Sequence, residues 1–199
     1  MHDNRRGRSR ARGRSLSRRA PAKASSALPA SVSSEDRPAS RTVATIGVYG
    51  WTLESFLEVI HAADVRVVVD VRQRRGVRGS GYAWANATRL QAALAGAEVE
   101  YRHHKELAPT TELRQLQYRE DARLGVGKRS RVELAPEYRE RYTREVLDRV
   151  DLGAFVAELP TAARSTLLCV ERDPEACHRS LIAERLAARH GVTIIELRP

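Results

Sequence analysis

The stretch STLLCVERDPEACHRSLIAERLAARHGVTIIEL, residues 165–197, decides the fold. It opens on a short, almost wholly apolar run and passes a turn marked by Asp173 and Pro174. His178, Ile182 and Leu186 then recur at the spacing of one helical face. Gly191 is placed to close that helix, and a second apolar run, VTIIEL, follows it. Two apolar strands joined by a helix are expected to lie parallel, covered on both faces.

Earlier segments repeat the pattern. TVATIGVYGW begins with a β-rich run at 43–46, and VRVVVDV is another nearly unbroken apolar strand. Between them Leu53, Phe56, Leu57 and Ile60 have helical spacing, with Thr52 as N-cap and Glu54 in the first turn. TRLQAALAGA predicts a helix stopped near Gly96, and EVEYRHH a weaker strand. TTELRQLQYREDARLG predicts a helix capped by threonine and ended at Gly125, and GVGKRSRVELAP a loop. EYRERYTREVLDRV and LGAFVAELPTAA predict helices, the first with Tyr138, Tyr142, Val146 and Leu147 on one side. The alternation predicts an α/β fold: a mostly parallel sheet of about five strands flanked by helices, in a single domain over 42–199.

The formal charge of +10 is unevenly spread. Residues 1–41 carry a net +8, which leaves +2 for the other 158 residues. That first segment is rich in Arg, Ser, Ala and Pro, without aromatics or apolar periodicity. It cannot bury enough surface to offset its ordering entropy, and a disordered tail is expected. Its charge suits an arm on nucleic-acid phosphates, or equally an unselected leader. It has no apolar core of a secretory signal, and no run in the chain is long and apolar enough for a membrane span. Two cysteines make no disulfide framework, which points to a reducing cytoplasm.

Polar residues gather where the predicted strands end, which is where parallel sheets bind ligands. Gly47 and Gly50 follow the first strand, and Asp70, Arg72, Arg74, Arg75 and Arg78 the second. His103 and His104 follow the third, and Cys169, Glu171, Cys177, His178 and Arg179 the fourth. With Asp173 as cap and Pro174 in the first turn, Cys177 falls near a helix N-terminus, whose partial positive charge favours thiolate. Cys177 is then a candidate nucleophile, with His178 and Glu171 as proton-transfer groups. Arg179 suits a bidentate grip on carboxylate or phosphate. In the competing structural reading His178 is a core histidine, the cysteines are small core residues, and Glu171 and Arg179 pair with each other.

The stretch VVVDVRQRRGVRGSGYAW adds candidate binding residues. Asp70 accepts hydrogen bonds, Arg72 and Arg78 take an anion, and Tyr82 offers a ring for a stacked base. His103 is placed at the same rim. The alternative is a solvated loop with a structural Asp70–Arg72 pair. Cys169, Cys177, His178 and one of His103 or His104 would suffice for zinc, but no C-x-x-C pair or zinc-module spacing is present, so no metal is assigned. Arginine is also absent six residues after either cysteine, where Glu175 and Ala183 stand. No P-loop or G-x-G-x-x-G fingerprint occurs, and no cofactor or oligomeric state is assigned.

These residues resemble a bacterial and archaeal family known as domain of unknown function 488. The shared features are TIGVYG, VDVR at 69–72 with Arg78 and Tyr82 beyond it, and Tyr101, His103 and Leu107. The most specific is C-x-E-x-x-P-x-x-C-H-R, complete as Cys169, Glu171, Pro174, Cys177, His178 and Arg179. Arg75 and Val77 stand where the family loop usually has proline and serine, and Ala108 and Pro109 replace its usual glycine pair. The resemblance implies a compact cytoplasmic α/β domain and brings no activity. The residues themselves support an enzyme on a phosphate-bearing nucleotide or nucleic acid, or a nucleic-acid-binding module without chemistry. A metal-stabilised domain ranks third.

Overall fold

A computed structural model describes residues 41–199. The expected tail, and its reading as a nucleic-acid arm, therefore fall outside the described residues apart from Arg41. Five strands, β1 (Thr42–Gly47), β2 (Val65–Asp70), β3 (Glu100–His103), β4 (Arg164–Cys169) and β5 (Thr193–Leu197), form one sheet. Its order is β3-β2-β4-β1-β5 and every neighbouring pair is parallel. The α/β class and the five-strand sheet expected from the apolar runs are both present.

Strand alternation builds two cores. Val43, Val67, Val69, Leu167 and Cys169 face one side, and Ala44, Ile46, Val68 and Leu168 the other. Val65 and Val67 are two apart yet lie in different cores, because the β2–β4 register shifts between them. Helices α1 (Leu53–Ala62) and α2 (Ala87–Gly96) cover the second face through Phe56, Ile60, Leu90 and Leu94. Thr52 caps α1 as expected, in a reciprocal box with Ser55. Helices α3 (Thr111–Arg123), α4 (Pro136–Tyr142), α5 (Leu152–Glu158) and α6 (His178–His190) cover the first face.

Two helices differ from expectation. The single helix expected after Glu137 breaks into α4 and a π turn, Thr143–Leu147, with Asp148 N–H bonded to the Thr143 carbonyl. The wider turn lets Tyr142, Val146 and Leu147 all reach the core, where each is at most 5% exposed. The helix expected from Pro174 also starts later. Pro174–Ala176 is a 3-10 turn, Asp173 makes no side-chain cap bond, and α6 begins at His178. Cys177 is therefore the N-cap position itself, in an extended conformation (φ −140°, ψ 140°). Gly191 closes α6 in the left-handed conformation at φ 63°, as read from the sequence.

The topology creates a crevice. The chain leaves β2 toward α2 on one face, and leaves the adjacent β4 toward α6 on the other. Loops diverge above such a pair, and ligands bind there in open parallel sheets. Gly47 fixes the neighbouring wall: a Cβ there would sit 1.8 Å from the Glu171 carbonyl oxygen, so only glycine lets β1 end against that loop. No helix among the described residues is long and apolar enough to cross a membrane.

Candidate functional site

A cleft of about 430 Å³ opens above β2 and β4. Its floor is made by Cys169, Glu171, Cys177 and His178, and its walls include Tyr49, Arg74, Arg78, Arg114, Lys128 and Arg131. Cys169 is the last residue of β4 and faces the α6 side of the sheet. Eight residues later the chain returns over it, and Cys177 and His178 arrive at the start of α6.

Arg179 holds that return loop. It is 1% exposed and donates to the carbonyls of Glu171 (2.6 Å) and Arg172 (2.8 Å). Its guanidinium thus binds the protein's own backbone, where the sequence pointed to a ligand anion; its Nε is buried without a partner among the described residues. The Ser180 hydroxyl donates to the Cys177 carbonyl at 2.9 Å, which secures the first turn of α6.

His178 is oriented from below. Its Nε2 lies 3.0 Å from the Val71 carbonyl oxygen, an atom that can only accept, so Nε2 carries a proton. Nδ1 then faces both sulfurs, 3.8 Å from Cys169 Sγ and 3.9 Å from Cys177 Sγ. The Tyr142 ring closes one side, edge-on at 5.4 Å. Glu171 accepts from the Cys169 thiol at 3.2 Å and pairs with Lys128 at 3.3 Å and Arg131 at 3.8 Å.

The electrostatics separate the two thiols. Burial raises both. At Cys169 the neighbouring Cys177 and Glu171 add to that, and the thiol stays well above its ordinary value. At Cys177 burial and Glu171 are outweighed by the Cys169 thiol and the charges of Arg179 and His178, which bring it down to about 5. Burial disfavours the His178 imidazolium, but the Cys177 thiolate, Glu171 and the Val71 carbonyl together raise it. Burial also raises Glu171, yet Lys128, His178 and local hydrogen bonds carry it far below the usual carboxylate range. Glu171 is thus an ionised acceptor that holds Cys169 and Lys128, with no proton to give.

The structure brings Cys177, His178 and Glu171 together, as the spacing suggested, and adds Cys169. Of the other expected residues, Arg72 and Arg78 also line the cleft, and Asp70, Tyr82, His103 and Arg179 do not. Asp70 and Arg72 are buried as a bidentate pair (2.8 and 2.6 Å), and Arg72 also donates to the Ala85 carbonyl. Tyr101 donates to the same Asp70 carboxylate, and His103 contacts the Arg72 carbonyl at 3.0 Å. His103 therefore supports β2 and is absent from the cleft lining. Arg78 is exposed at the mouth. Tyr82 packs edge-on against Tyr49 at 5.0 Å, and Arg129 lies over both rings at 5.0 and 5.3 Å.

Sequence reasoning missed Lys128 and Arg131, which sit in the segment read only as a loop. Arg131 is buried against Asp121 and reaches the Ala176 carbonyl, and Gln117 bonds Asp121 and accepts from Ala135 N–H. Glycines flanking cations in GVGKRSR were the available signal. For metal, Cys169, Cys177 and His178 offer three donor atoms within 4.8 Å of one another. A structural zinc ion takes four protein ligands, and neither His103 nor His104 joins these three, so no structural metal is assigned.

A family model described as "Domain of unknown function DUF488" matches residues 52–186, more than half of the chain. No curated protein and no solved structure matches.

Proposed function

The chain belongs to the DUF488 family, a domain of unknown function, and from its own residues we propose an enzyme that attacks a phosphate-bearing nucleotide or nucleic-acid substrate with the Cys177 thiolate. One observation carries this reading: Cys177 Sγ lies at the floor of a cation-walled cleft, 3.9 Å from the Nδ1 of a histidine whose other nitrogen is fixed. Thiolate and imidazolium adjoining at a helix start form an activated nucleophile with its proton donor. In the reaction Cys177 bonds to the electrophilic atom, and His178 delivers the Nδ1 proton to the leaving group. Glu171 keeps Lys128 and Cys169 in place.

The anion falls to Arg74, Arg78 and Lys128. Arg74 and Arg78 line the cleft and make no ion pair among the described residues. Among the described residues Glu171 is the one carboxylate in the lining, and it is already paired. Such a wall raises the local concentration of an anionic substrate. Arg72 and Arg179 contribute by holding the loops. Two free thiols suit a reducing cytoplasm, the compartment this reading assigns.

The competing reading, a nucleic-acid-binding module without chemistry, draws on Tyr49, Tyr82 and Arg129, two edge-on rings with a cation over both. Ligand-dependent melting of the full chain separates the two. Inorganic phosphate, nucleotides and short single-stranded nucleic acids form the panel. A ligand at 100 times its dissociation constant adds about 2.7 kcal/mol to stability. A shift with a small phosphate compound, lost in Arg74→Ala/Arg78→Ala, is the expected result. A shift with nucleic acid alone, falling steeply with salt, would transfer the assignment to the binding module. No shift with any compound would remove the phosphate assignment.

A further inference from the structure

The cleft floor holds a second sulfur that the nucleophile reading does not use. Cys169 and Cys177 are the two cysteines of the entire chain, and both are reduced. Their sulfurs lie within 4.8 Å of each other, in contact with the same imidazole nitrogen. The connection between them passes through the 3-10 turn Pro174–Ala176, and Cys177 itself is extended rather than helical. A disulfide has an S–S distance of about 2.05 Å, so closure asks the two sulfurs to approach from within 4.8 Å, and Cys177 precedes the first residue of α6. We propose that Cys169 and Cys177 are a redox dithiol, which a hydroperoxide closes to a disulfide with Cys177 as the attacking and Cys169 as the resolving sulfur.

The inference rests on the reading of Cys177 as a thiolate, and it assigns that site a second class of substrate. Cys177 Sγ attacks the terminal oxygen of the hydroperoxide. The S–O bond forms, the O–O bond breaks, and the departing alkoxide takes the proton from His178 Nδ1. This leaves a sulfenic acid on Cys177 and a neutral His178. Its Nδ1 lone pair is now 3.8 Å from Cys169 Sγ and accepts the Cys169 proton as that sulfur attacks. The S–S bond forms, the S–O bond breaks, and hydroxide leaves as water with the same proton. The two sulfurs together lose two electrons, which reduce the peroxide to alcohol and water. The separation of the thiols fits these roles: Cys177 is ionised at neutral pH, and Cys169 keeps its proton until the second step.

Glu171 is the third partner. Its carboxylate accepts from the Cys169 thiol at 3.2 Å, which holds the resolving sulfur beside the site of oxidation. The cleft gives a small peroxide access to both sulfurs, which line it although they are buried from bulk solvent.

The test uses the full chain, reduced, treated with EDTA and freed of both reagents. Hydrogen peroxide is added, and free thiols are counted by maleimide labelling and intact mass. Wild-type protein is expected to lose both thiols together and to lose the mass of two hydrogen atoms, with full recovery in dithiothreitol. Cys169→Ser is expected to stop at Cys177 with one added oxygen, trapped by dimedone. In Cys177→Ser the Cys169 thiol should survive the same exposure. Wild-type protein that oxidises Cys177 but keeps a free Cys169 would overturn the proposal and leave the nucleophile reading standing. Resistance of Cys177 to both peroxide and iodoacetamide at neutral pH would remove both together.

Discussion

Replacing Arg72 by alanine is expected to destabilise the protein by about 3–5 kcal/mol, the usual cost of removing one partner from a buried ion pair. The Asp70 side chain is fully buried and the Arg72 side chain is 2% exposed, so solvent screens neither charge. Arg72→Ala leaves the Asp70 carboxylate with the Tyr101 hydroxyl and the backbone N–H of position 72, and removes a donor from the Ala85 carbonyl. Urea denaturation gives the difference directly. The double variant Asp70→Leu/Arg72→Met should be less damaged than Arg72→Ala, because it removes both charges together. An Arg72→Ala protein within about 1 kcal/mol of wild type, the range of a surface pair, would show that the pair contributes little. It would also reopen Arg72 as a ligand-binding group.

Cys177 carries the other large effect. Its pKa is lowered to about 5, so the thiolate is present above that pH and is lost as pH falls through it. Alkylation of the reduced protein by iodoacetamide should rise through about pH 5 and be flat near neutrality. An ordinary cysteine, with a pKa of about 8.5, is only a few per cent ionised at pH 7. The advantage in rate is smaller than the advantage in ionisation, because a less basic thiolate is a weaker nucleophile. The midpoint is therefore the better readout. His178→Asn keeps an N–H for the Val71 carbonyl but removes the cation beside the sulfur, and should move the midpoint upward. A wild-type midpoint in the ordinary thiol range would exclude a resting thiolate.

Much of the fold was legible because its signals are local. Apolar runs such as 65–71 need cover on both faces, and Thr52 and Gly191 mark helix ends by their own conformational chemistry. The start of α6 was misread for an equally local reason. Asp173 and Pro174 are good helix-opening residues, yet they open a 3-10 turn, since Arg179 holds the carbonyls just before them. The Cys177–His178–Glu171 grouping was legible because one short loop carries all three. The partners of Arg72 and Arg179 were not. An arginine at a strand end suits an external anion or an internal carboxylate equally well, and tertiary packing decides between them. Lys128 and Arg131 come from a separate loop, 43 and 40 residues before Glu171, and only folding brings them to it.

The position of β4 has a further consequence, for how the cleft comes into being. In the order β3-β2-β4-β1-β5, β4 fills the gap between β1 and β2. During synthesis the first three strands emerge long before the strand that joins them. Until then β1 and β2 have unpaired edges and no shared sheet, a condition that favours pairing with other chains. Closing the sheet joins residues 43–47 to 165–169, a separation that slows folding. The floor of the cleft is therefore among the last parts to form, and the nascent chain carries a sticky open seam until β4 inserts.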